Sequence, residues 1–152
     1  MSARQTIDSM QFAKSGGELS GELRAEEFQD MLPRLADILS RESPPVQYRL
    51  SGGMKARRPV IHLEVRATVT LICQRCLEAY AEELQLDREY PLARDEAELS
   101  RWERDEPLIE ALVADPKMVV SELIEEEILL SLPSVPCHPE GMCGLEVQAP
   151  VQ

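Results

Sequence analysis

Cysteine is the residue of this chain with the most definite chemistry: there are four, in two pairs far apart in sequence. Cys73-Gln-Arg-Cys76 presents two thiols from one tight turn, and Cys137 with Cys143 supplies two more. Soft thiolates from two such segments can complete a tetrahedral zinc shell, which would tie the C-terminal segment to whatever carries the first pair. The five residues between Cys137 and Cys143 exceed the usual two to four; His138 in place of Cys137 would bring the gap to four, imidazole being an acceptable ligand. Two other chemistries stay open: reduced thiols that pack as small hydrophobes, and a redox or disulfide role. A thioredoxin-like dithiol needs a helix N-terminus to lower its pKa. Here the pair follows a strand pattern, which argues against that role.

Two charged clusters come next. Lys55, Arg57 and Arg58 form the most basic stretch, with Arg49 and Arg66 nearby in sequence. They are candidate contacts for RNA phosphates, or simply the tip of a solvated hairpin. Glu122, Glu125 and Glu126 offer an acidic helix face to a basic protein partner. Glu127 is expected to turn towards the apolar side, because three consecutive acids cannot share one face of a helix. His62 reads as an ordinary surface histidine. No Ser/His/Asp set, paired carboxylates or phosphate-binding glycine loop is visible, so neither an enzyme nor a small-molecule substrate is expected.

The chain of 152 residues carries 16 basic against 28 acidic side chains, a net charge of −12. Such a field repels phosphate backbones at long range and favours a protein partner over bare RNA, unless a local basic patch intervenes. No stretch approaches the roughly 20 apolar residues needed to cross a bilayer. The first residues contain no apolar run, so a cytoplasmic location without membrane contact is expected. In that reducing compartment paired cysteines favour metal or redox roles over structural disulfides.

The elements that must position these residues follow from periodicity. Residues 1–17 are polar and end in Ser15-Gly16-Gly17, which reads as a flexible tail; 18–144 read as one domain and 145–152 as a second tail. Leu19, Gly21 and Leu23 alternate as a short strand. Phe28, Met31, Leu32, Leu35, Ile38 and Leu39 recur at helical spacing, with Pro33 kinking or splitting the helix. Val46, Tyr48 and Leu50 make a strand that turns at Gly52-Gly53. From Ile61 to Cys73 alternate residues are apolar, which puts Cys73 at the end of a buried face. Tyr80, Leu84, Leu86, Tyr90 and Leu92 give the partner strand, so residues 73–78 are the hairpin connection. Residues 93–106, with the single Trp102, read as a surface loop or short exposed helix, and 107–113 as one more strand, with helix left open by so short a run. Asp115-Pro116 is expected to open a helix running to Pro133. The fold class is α+β: an antiparallel sheet, barrel-like if it closes, with two packed helices.

Three landmarks coincide on this frame: Val-Thr-Leu-x-Cys-x-x-Cys from Val69 to Cys76, Glu127-Ile-Leu-Leu-Ser-Leu-Pro133, and a cysteine-bearing tail after Val135-Pro136. Together they resemble the bacterial YceD family, the large ribosomal RNA subunit accumulation proteins, from about Leu19 to Cys143. The resemblance implies a cytoplasmic, non-enzymatic factor for the accumulation of large-subunit (23S) rRNA. Its expected partners are a large-subunit ribosomal protein, precursor rRNA or both. A zinc- or thiol-dependent regulatory binding protein unrelated to ribosomes is the alternative.

Overall fold

The computed structural model describes residues 5–24, 28, 38–39, 44–133 and 136–137. Five strands form an open sheet in the order β2-β3-β4-β5-β6: β2 (Glu18–Leu23), β3 (Val46–Lys55), β4 (Arg58–Ile72), β5 (Ala79–Ala93) and β6 (Leu112–Val113). All neighbours are antiparallel except β5 and β6. The sheet does not close into a barrel. A two-stranded ribbon pairs β1 (Thr6–Ile7) with β7 (Met118–Val119). Among the described residues the helices with defined bounds are α1 (Ser9–Lys14), α2 (Glu96–Asp105) and α3 (Val120–Ser131).

The alternation in β4 produces a strand of 15 residues with one dry face. Ile61, Leu63, Val65, Ala67, Val69 and Leu71 are all buried, and Cys73 continues that row into the turn. On β5 the same face carries Tyr80, Leu84, Leu86, Tyr90 and Leu92. The opposite face of β4, with Glu64 and Arg66, stays wet, as expected for an antiparallel sheet covered on one side. Helix α3 covers the apolar face with Val120, Leu123, Ile124 and Ile128.

Four expectations are corrected. Residues 6–14 are not a tail. The Asp8 carboxylate caps α1 by accepting from the Gln11 N–H at 3.2 Å, and Ala13 is fully buried in the core. The β3–β4 turn is not at Gly52-Gly53 but at Ala56-Arg57. Gly52 is a seat for α1: a Cβ there would lie 2.4 Å from the Phe12 carbonyl oxygen. Only Leu112–Val113 of the segment 107–113 is a strand. The last helix begins at Val120 rather than at Asp115-Pro116, because Met118 and Val119 are drawn into pairing with β1. The expected helix over 26–39 lies mostly outside the described residues, although Phe28 and Leu39 are buried in the core. Residues 93–106 take the helical form, α2, with Asp95 as N-cap accepting from the Glu98 N–H at 2.9 Å.

Candidate functional site

The turn between β4 and β5 is a thiol knuckle. The Cys73 N–H donates to the Glu78 carbonyl at 2.9 Å, and the Leu77 N–H donates to the Cys73 carbonyl at 2.8 Å. Leu77 adopts φ 64°, the left-handed conformation that closes the turn. Inside it the Arg75 N–H points at Cys73 Sγ, 3.3 Å away. The second cysteine segment reaches this turn: the Gln74 N–H donates to the Pro136 carbonyl at 2.8 Å. Cys137 consequently packs against the same core cluster as Cys73 and Cys76. Tyr80 senses the convergence. Its phenol is pushed up by burial first and Glu82 second, against a hydrogen bond to the Cys137 backbone that pulls it down. Cys143 and His138 lie outside the described residues. Three of the expected ligands thus share one corner, in a donor set that suits zinc.

The acidic run divides sharply. Within α3 the exposed positions are Glu122, Glu126 and Leu130, a single i, i+4, i+8 stripe. Glu125 is fully buried, which removes it from the expected docking face. It sits four residues after the buried Ser121, on a flank of the helix that the fold also encloses. Glu127 turns inward, as anticipated, and pairs with Arg88 Nε at 3.2 Å. Burial first, and the adjacent Glu127 carboxylate second, push the Tyr90 phenol well above its usual range. Sequence reasoning missed Arg88, which occupies an inward position of β5 between the apolar Leu86 and Tyr90.

The basic cluster is also not uniform. Lys55 Nζ is 2.8 Å from Glu89, and Arg58 binds Glu106 at 2.7 Å while lying 4.2 Å above the Trp102 ring. Arg57 is exposed and has no ion-pair partner among the described residues. Arg49 and Arg66 lie on the wet face of the sheet, opposite Glu64 and Gln85 respectively. On that face His62, Glu64 and Asp87 bring their ligand-type atoms within 4.8 Å of one another, with the His62 ring against the Asp87 carboxylate. The i, i+2 spacing of His62 and Glu64 could have signalled this; Asp87 could not be placed without the strand register.

The Arg58–Glu106 pair has a pH signature. Hydrogen bonding to Arg58 holds the Glu106 carboxyl below its usual 4.5. A depressed folded-state value means that the pair's stabilising contribution is present above 4.5 and lost as the pH falls through the folded value. Replacing Glu106 by Gln should flatten the acid limb of a melting-temperature profile and leave the alkaline limb alone. A parallel acid limb in the variant would show that the pair does not stabilise the fold.

No helix among the described residues is long and apolar enough to cross a membrane. The family model described as "Large ribosomal RNA subunit accumulation protein YceD" matches residues 61–152, more than half of the chain. The chain belongs to the YceD family. That stretch starts on β4 and takes in the thiol knuckle, the Arg88–Glu127 pair and all of α3. The name of the YceD family carries a role in the accumulation of large-subunit ribosomal RNA. No curated protein and no solved structure matches the chain.

Proposed function

We propose that this YceD protein supports large-subunit rRNA accumulation in the cytoplasm by binding rather than by catalysis. It acts as an adaptor between precursor rRNA and a basic large-subunit ribosomal protein. The family match carries the ribosomal part of this reading. The charge distribution supports the adaptor part: Glu122 and Glu126 face solvent on α3, and Arg57, exposed in the β3–β4 turn, has no ion-pair partner among the described residues. In this reading Cys73, Cys76, Cys137 and Cys143 hold a structural zinc ion, with His138 as the alternative to Cys137. The metal would fix the C-terminal segment beside the knuckle and would take no part in chemistry.

Affinity purification of the intact protein at low ionic strength, followed by RNA sequencing and mass spectrometry, tests the proposal. Precursor large-subunit rRNA and at least one large-subunit protein should be enriched together. Glu122→Lys with Glu126→Lys should release the protein partner. Unchanged large-subunit rRNA levels after depletion, or purification free of both partners, would overturn it.

A further inference from the structure

The β3–β4 turn, the end of α1 and the start of α2 enclose a cleft of about 510 Å³, within the range of specific ligand sites, about 300–1,000 Å³. Its wall carries Lys14, Arg57, Arg58 and Arg94 against one carboxylate, Glu98, with Trp102 as its aromatic surface. In a chain of net charge −12, four cations around one cavity run against the bulk field. Their states differ in a useful way. Arg94 is tied to Glu98 at 3.4 Å, and Arg58 is held by Glu106 over the Trp102 ring. Lys14 and Arg57 are exposed and have no ion-pair partner among the described residues. The cleft therefore combines a fixed planar platform with two uncommitted cations.

The turn that presents Arg57 is costly. Lys55 pairs with Arg58 across a two-residue loop in which Ala56 has φ 51° and Arg57 φ 68°. That loop type strongly prefers Asn-Gly, since a side chain in the left-handed region is disfavoured. An arginine at the position where glycine is easiest is a strain of the kind found at ligand-contacting sites.

We infer that this cleft binds single-stranded RNA, with a phosphodiester held by Arg57 and Lys14 and an unpaired base stacked on the Arg58–Trp102 platform. The inference rests on the ribosomal reading above and names the RNA-contacting site within it. Sequence-tolerant binding of single strands needs this pairing of cationic groove and aromatic or guanidinium plane. An acidic peptide would use the cations and leave the platform idle. The expected basic cluster is thereby redrawn: Lys55 is committed to Glu89 and drops out, while Lys14, Arg94 and Trp102 enter.

Trp102 is the only tryptophan, so its own fluorescence reports on the platform. Titrating the intact protein with short single-stranded RNA should quench that emission, and poly-glutamate should not. Arg57→Gly relieves the left-handed arginine, so it should melt no lower than the parent while binding RNA several-fold more weakly. Its log–log salt slope should fall by about 0.7, the contribution of one single-strand phosphate contact. Trp102→Leu, which removes that reporter and is read instead by the fluorescence polarisation of labelled RNA, should weaken binding about tenfold. Arg66→Glu, on the wet face of the sheet, should bind like the parent. Absence of quenching, equal displacement by poly-glutamate, or equal losses in Arg57→Gly and Arg66→Glu would overturn the inference. If precursor rRNA still co-purified in those cases, the adaptor reading would survive without this site. Loss of both would sink the two together.

Discussion

Gly52→Ala should lower the unfolding free energy by about 2 kcal/mol or more, whereas Gly53→Ala should change it by less than about 1 kcal/mol. The two glycines are adjacent in β3 and look equivalent in sequence, but they face different things. A Cβ on Gly52 would sit 2.4 Å from the Phe12 carbonyl oxygen and 2.7 Å from the Ala13 Cα, both backbone atoms. No rotamer change relieves such a clash, so α1 itself must move. Its displacement would expose Ala13, now fully buried, and strain the bond from the Gly52 N–H to the Gly17 carbonyl, 2.9 Å long. A Cβ on Gly53 meets nothing within 4 Å. Urea unfolding of both variants makes the comparison, with the midpoint read at constant slope. Equal midpoints would mean that α1 is not seated on β3.

Protein purified without chelator should carry close to one zinc per chain, and Cys76→Ser should lose it. The stability loss should reach about 3 kcal/mol or more, since closing a structural zinc site contributes folding energy directly. For a chain of this length that corresponds to roughly 2–4 °C of melting temperature for each kcal/mol. Cys76 is the informative position because it is only half-buried, so serine there disturbs packing little. Cys73 is fully buried, and its replacement would mix a packing loss with a ligand loss. Chelation of the parent should reproduce the Cys76→Ser phenotype. A metal-free parent whose stability is unaffected by chelator would make the knuckle a packing device.

Much of the sheet was legible because one physical signal dominated. In β4 the alternation from Ile61 to Leu71 has no exception, so burial of one face determines strand, register and the position of Cys73 together. The knuckle was legible for the same reason, as a break in alternation that carries two thiols. Elsewhere the signals competed. Gly52-Gly53 reads as punctuation, yet the first glycine answers to a helix lying across the strand rather than to a turn. Six residues of α1 are too few to show a period. Burial of Glu125 follows from α3 being enclosed on nearly every side, which a two-faced helix pattern does not anticipate. Arg58 and Trp102 are distant in sequence and carry no local mark of their contact. The Arg57 turn escaped because its residues are the wrong ones for its geometry.

The ribbon of β1 with β7 sets a condition on how the chain is made. Thr6 and Ile7 find their strand partners at Val119 and Met118, the Gln5 carbonyl accepts from the Val120 N–H, and the Ser9 N–H donates to the Asp115 carbonyl. Residues 5–9 therefore wait for residues 115–120 to be made. The β4–β5 hairpin, by contrast, is joined locally and can form as soon as its two arms emerge. During synthesis the pairing of β2 to β5 should exist before β1 finds its partner in the ribbon. Until segment 115–120 emerges, β1 and the Ser9 end of α1 lack their partners, although α1 can already seat on β3.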